Sequence, residues 1–167
     1  MHTRSVSRIL IAAAIAIMTA LAGTMLAQAN TADDEHAAAI RGAGTSLVSG
    51  GTGSPDFAPV MTKFAFWWRD GKGRFECLAL VPSAAAGKPG SGTFDTNAMY
   101  VTGSLSSAHV DGPDASLKGT ATVTGLGAGT NAPFTATITR GGPGATLVLE
   151  VSGLTFSEIV LEGEIRF

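Results

Sequence analysis

The chain has 167 residues, of which 45% are hydrophobic and only 14% are charged, against a typical charged share of about a quarter. The formal net charge of −2 provides none of the basic surface that binding to DNA, RNA or anionic lipid requires. A single cysteine excludes a disulfide framework within one chain. The 22 glycines favour short β-strands joined by tight turns over helices.

The first 29 residues have the pattern of a secretory signal peptide. A basic segment with Arg4 and Arg8 precedes an apolar run over residues 9–23, and Ala27-Gln28-Ala29 matches a signal-peptidase site. We expect a helical signal peptide over residues 1–29, cleaved after Ala29. The mature chain is then secreted, periplasmic or part of the cell envelope, with no membrane association. Loss of two arginines shifts its net charge from −2 to −4.

The mature chain is predicted to contain one domain. Residues 30–42 are polar or alanine-rich and are expected to form a disordered or weakly structured linker. Residues 43–167 are predicted to form a single all-β domain, because alternating apolar and polar residues recur throughout most of its length. Its first strand is expected near residues 45–49.

The clearest predicted hairpin surrounds an Asp-Gly turn at residues 70–73. Its strands, residues 62–69 and 74–81, have two different faces. One face of the first strand carries Phe64, Phe66 and Trp68, and the other carries Ala65, Trp67 and Arg69. Cys77, on the oily face of the second strand, is expected to be buried.

Further strands are predicted after a loop at residues 82–92. They span 98–104 or 98–110, then 115–125, 133–140, 145–152 and 158–167. In the last strand, Ile159, Leu161 and Ile165 are predicted to form the oily face. Val160, Glu162, Glu164 and Arg166 are predicted to lie on the opposite face, and the acids, Glu158 included, to face solvent. Because an open sheet would leave unpaired edges, these strands predict a single antiparallel β-sandwich or partly closed β-barrel of about seven to nine strands.

The second half of the chain carries a family resemblance. Residues 115–125 (ASLKGTATVTG), 133–139 (PFTATIT) and 141–144 (GGPG), with the closing strand, resemble the post-COAP-1 type of small β domain found in exported bacterial proteins. In that family, a TGTATVNG strand precedes a YTFTVTVTDNGEPG hairpin and a last strand. The resemblance covers residues 63–167 and implies an exported β domain, without implying a reaction or catalytic residues. The chain departs from the family after Gly144, where Ala-Thr-Leu replaces the usual Asp followed by Phe or Arg.

No motif predicts a catalytic residue, a metal site or a cofactor. His109 has serines and Asp111 nearby in sequence, but the chain lacks the G-x-S-x-G elbow of a serine hydrolase. A surface histidine is therefore the preferred interpretation. Residues 111–114 (DGPD) lack the alternating ligands of a calcium loop and are interpreted as a polar turn.

Aromatic side chains are the main candidates for ligand binding. Because Trp67 and Trp68 are adjacent on a strand, one of them points away from whatever the other packs against. An exposed tryptophan on a sheet can bind a sugar ring or a protein partner, whereas a buried one belongs to the core. The candidate ligand-binding residues are Trp67, Trp68, Tyr100 and His109.

These observations leave three hypotheses for function. We expect a secreted or envelope-associated, non-enzymatic β module with a binding or structural role, whose partner is an envelope protein or a small ligand and not nucleic acid. The alternative is a small-molecule-binding β-barrel, with lyase or isomerase activity, which requires an internal cavity of at least about 300 Å³. A third is a module that joins an envelope assembly through an exposed strand edge.

Overall fold

The computed structural model of the protein describes residues 39–54, 59–83 and 93–167, which form eight antiparallel strands. The strands are β1 (Ile40–Gly50), β2 (Met61–Arg69), β3 (Lys72–Pro82), β4 (Phe94–Asp111), β5 (Asp114–Gly125), β6 (Gly129–Thr139), β7 (Thr146–Val151) and β8 (Leu154–Arg166). The predicted antiparallel all-β class is confirmed. The predicted signal peptide and most of the predicted linker and of the loop at 82–92 lie outside the described residues.

The eight strands close into a barrel. Each strand pairs with its neighbour in sequence, and β8 pairs with β1. Of the two predicted architectures, the barrel is the one observed. Every strand of the described residues therefore has two neighbours, although residues 107–111 of β4 pair only with β5. No helix in this part of the chain is long and apolar enough to cross a membrane.

The β2–β3 hairpin sets the register of the outer surface described below. Asp70 and Gly71 form its two-residue turn with φ angles of 50° and 75°, the pair of positive values that defines a type I′ turn. Glycine takes this conformation at little cost. The predicted Asp-Gly turn is thereby confirmed, and it places Trp67 directly opposite Arg74.

The barrel interior is filled by side chains, as expected for eight strands. Phe64, Phe66, Phe75 and Phe134 form a row of rings from β2 through β3 to β6, with successive centroids 6.0, 6.2 and 5.1 Å apart. All four are buried, and so is Cys77, as predicted. The row thus occupies the space that an internal ligand would need.

Inward-facing glycines make room for these rings. A Cβ atom at Gly42 would lie 2.4 Å from the ring of Phe66. Cβ atoms at Gly103 and Gly119 would lie 2.8 and 2.9 Å from the ring of Phe134. Because such approaches are closer than van der Waals contact, the rings fit inside the barrel only where glycine lies beside them.

The last strand corrects the predicted orientation of its side chains. Ile159 and Leu161 are 42% and 49% exposed, whereas Glu158 and Val160 are buried, the reverse of the predicted pattern. The reason is a β-bulge: Val160 pairs with Ser46 and Glu162 with Thr45, so Leu161 is an extra residue. One extra residue reverses the inward and outward alternation. Beyond it, Ile165 faces inward as predicted.

Candidate functional site

A surface pocket surrounds Trp67 on the outside of the barrel. It has a volume of about 620 Å³ and is formed by residues of β1, β2, β3 and β8. Trp67 is 48% exposed within it, because the alternation of β2 turns Phe66 and Trp68 inward and Trp67 outward. We call this surface the Trp67 pocket. Its lining residues are Arg41, Gly42, Ala43, Ala65, Phe66, Trp67, Arg74, Glu76, Glu164 and Arg166.

Small side chains create the depression beside the indole. Ala65 lies on the same face of β2 as Trp67, two residues earlier in the strand. Ala43 of β1 is the cross-strand partner of Ala65. Both are exposed. Since neither side chain extends beyond its Cβ atom, the indole of Trp67 projects beyond its neighbours and exposes apolar area to solvent.

Two arginines flank Trp67 across the sheet. Arg41 is its partner on β1, and Arg74 is its partner on β3. Directly opposed residues of antiparallel strands have Cβ atoms about 5 Å apart, so both guanidinium groups can reach a ligand that contacts the indole. Among the described residues, neither arginine has a carboxylate within 4.0 Å.

A third arginine at this pocket is already engaged. Arg166, the partner of Arg41 on β8, donates a hydrogen bond to Glu164. That hydrogen bond holds the pKa of the Glu164 carboxyl below its ordinary value, and the positive charges of Arg166 and Arg41 add to the effect. Glu164 therefore stays ionised and offsets the charge of Arg166.

A second pocket adjoins the first. It has a volume of about 450 Å³, is lined by Tyr100, Lys63, Leu78 and Asn97, and shares Ala65 and Glu76 with the Trp67 pocket. We call it the Tyr100 pocket. From the strand register, Tyr100 lies two strands and about four residues from Trp67, roughly 16 Å away. The two pockets thus form one continuous surface with an aromatic residue in each half.

The four predicted ligand-binding residues do not form one site. Trp67 and Tyr100 share the outer surface, but Trp68 lies inside the barrel, 5% exposed, and its buried Nε1 atom has no hydrogen-bond partner among the described residues. His109 is exposed on β4, nine residues and therefore roughly 30 Å beyond Tyr100. Within the described residues, the side chain of His109 makes no hydrogen bond with Ser106 or Asp111.

The barrel interior also holds a polar cluster. Oε2 of Glu158 lies 2.5 Å from Ser46 Oγ and 2.5 Å from Thr62 Oγ1, and the two hydroxyls hydrogen-bond each other. Oε1 faces the Cys77 thiol at 4.0 Å. One carboxyl oxygen of Glu158 thus accepts hydrogen bonds from both hydroxyls, and the other faces the thiol.

Burial acts on the titration of this cluster. It raises the pKa of Glu158 above its ordinary value, against the opposing effect of the hydrogen bonds from Ser46 and Thr62. Burial also raises the pKa of the Cys77 thiol well above its ordinary value, and the nearby Glu158 adds to this. Cys77 is thus a neutral thiol and a poor nucleophile. The pockets of about 290 to 620 Å³ found on the described residues are not lined by Ser46, Thr62, Cys77 or Glu158.

Sequence reasoning missed the arginines and the buried acid for different reasons. Arg41 lies in the predicted linker, and pairing it with Trp67 requires the register of a strand that begins at Ile40. Glu158 was placed in solvent because the bulge at Leu161 was not foreseen. The available signal was local: Phe156, Glu158 and Val160 alternate on one face, and the isolated Gly163 that follows is typical of a bulge.

Comparison with known proteins adds no relative. No family model, no curated protein and no solved structure matches the chain. The resemblance to post-COAP-1 domains therefore remains a prediction from sequence, and the function must be argued from the site.

Proposed function

We propose that the protein is a secreted or envelope-associated module that binds carbohydrate at the outer face of its barrel and catalyses no reaction itself. The observation that supports this most directly is Trp67, 48% exposed inside the largest of the pockets described. A flat indole in a shallow depression offers an apolar face to the C–H groups of a sugar ring, and the polar rim offers partners for its hydroxyls.

The outer face of the barrel is favoured over its interior as the place where a ligand binds. The pockets lined by described residues, from about 290 to about 620 Å³, are formed mainly by outward-facing side chains. The row of phenylalanine rings fills the middle of the barrel. An internal small-molecule site would need that space, so the alternative finds no support in the described residues.

We expect Trp67→Ala to reduce carbohydrate binding at least tenfold, because the indole supplies the stacking surface. Co-sedimentation with insoluble polysaccharides, both neutral and acidic, measures this directly. The protein has two tryptophans, one exposed and one buried, so ligand binding is also expected to change the fluorescence of Trp67.

Leu126→Ala is the matched control, because Leu126 is 50% exposed and outside both pockets. It should bind like the unmodified protein, and circular dichroism should show both variants folded. If no polysaccharide binds, or if Trp67→Ala binds as well as the unmodified protein, the proposal is wrong.

A further inference from the structure

We propose that the ligand is an acidic polysaccharide that runs from the Trp67 pocket to the Tyr100 pocket, with Arg41 and Arg74 binding its carboxylates. This inference rests on the proposed function and names the chemical class of its ligand. It combines the availability of the arginines, the distribution of charge over the barrel and the continuity of the two pockets.

The two arginines beside Trp67 are available to an anion. Both are exposed, and neither has a carboxylate of the described residues within 4.0 Å. A guanidinium group binds a carboxylate through two parallel hydrogen bonds, a planar geometry that also fixes the orientation of the sugar. A uronic acid ring stacked on Trp67 would carry its carboxylate toward one of these groups.

Positive charge is concentrated at these pockets. They contain four of the eight basic side chains of the described residues, but only two of the nine acidic ones. One of the two acids, Glu164, is already paired with Arg166. A cationic surface on a chain with a net charge of −2 attracts an acidic ligand and orients the protein toward it. The basic residues are Arg41, Lys63, Arg74 and Arg166.

The shape of the surface favours a chain over a single sugar. The two pockets share Ala65 and Glu76, and their aromatic residues are roughly 16 Å apart, the length of a short oligosaccharide. Glu76 is half-buried between them. Its carboxylate accepts hydrogen bonds from sugar hydroxyls, which every unit of a polysaccharide carries and the chain of single-stranded DNA lacks.

The test compares three polymers by isothermal titration calorimetry: polygalacturonate, neutral dextran and single-stranded DNA. We expect polygalacturonate to bind at least tenfold more tightly than the other two and to weaken as sodium chloride is added. The double variant Arg41→Gln/Arg74→Gln should lose at least tenfold of this affinity and most of its salt dependence. Lys118→Gln, an exposed basic residue outside both pockets, should retain it.

Tyr100→Ala tests the extended path. It should weaken binding of long galacturonate oligomers and leave binding of the shortest ones unchanged. Equal binding by the double-arginine variant, tighter binding of DNA, or Trp67-dependent binding of dextran alone would overturn the acidic ligand. The last result would leave the proposed carbohydrate function in place, whereas failure of the unmodified protein to bind any polysaccharide would contradict both.

Discussion

Replacing Phe75 by alanine is expected to lower the free energy of unfolding by about 3–5 kcal/mol. Phe75 is fully buried and contacts the rings of both Phe66 and Phe134, so it joins β2 and β6 through the middle of the barrel. Its loss removes the hydrophobic transfer energy and leaves a cavity that the closed sheet cannot fill by collapsing. A small domain has about 5–15 kcal/mol in total, so much of its stability is at stake.

Urea denaturation measures this effect as a shift of the midpoint. The control is again Leu126→Ala, an exposed position where the change should stay within about 0.5 kcal/mol. The Phe75→Ala cavity would be lined by apolar groups, and such cavities bind benzene. Added benzene should therefore raise the melting temperature of Phe75→Ala and leave that of the unmodified protein unchanged. A loss below about 1 kcal/mol would show that the rings do not pack as described.

Raising the pH from about 4 toward neutral is expected to destabilise the protein through Glu158. In the unfolded chain this carboxyl titrates near about 4.3, whereas burial raises its pKa in the folded barrel. Between the two pKa values the folded state holds one more proton than the unfolded state, so the free energy of unfolding falls by about 1 kcal/mol per pH unit. The contribution is complete below the unfolded pKa and lost above the folded one.

Glu158→Gln isolates this effect. The amide has the size of the acid, does not titrate, and can donate a hydrogen bond to Ser46 or Thr62. Cys77 is the titratable group that faces Glu158, and burial raises its pKa, so it stays neutral over this range. We expect urea denaturation at a series of pH values to show a shallower decline for Glu158→Gln. Glu150→Gln, at an exposed position, serves as the control. Identical pH profiles for Glu158→Gln and the unmodified protein would show that Glu158 is ionised in the fold.

Much of the fold could be predicted because its information is local. The alternation in residues 62–69, the Asp-Gly turn at 70–71 and the oily rows of later strands each reflect side-chain period two, which a single sequence shows directly. The closed barrel could not be separated from a sandwich, because closure depends on pairing between β1 and β8 at opposite ends of the domain. No local pattern carries that information.

The candidate site was predicted only in part for the same reason. Trp67 and Tyr100 could be named from residue type and strand position alone. The arginine at position 41 becomes relevant only through cross-strand register, because it precedes Trp67 by 26 positions and still lies opposite it. The orientation of Glu158 depends on a single extra residue at Leu161, and the nearby Gly163 indicates a bulge without fixing its position in the strand.

The pairing of β1 with β8 has a consequence for how the chain can be rearranged. Arg41 is the partner of Arg166, so the first strand begins beside the point where the last one ends. All other pairings join consecutive strands. A circularly permuted protein, with these two strands joined by a short peptide and new termini at Gly112-Pro113, would keep every hydrogen-bonded ladder. The pairing of the strands therefore does not require that β1 be the first strand of the chain.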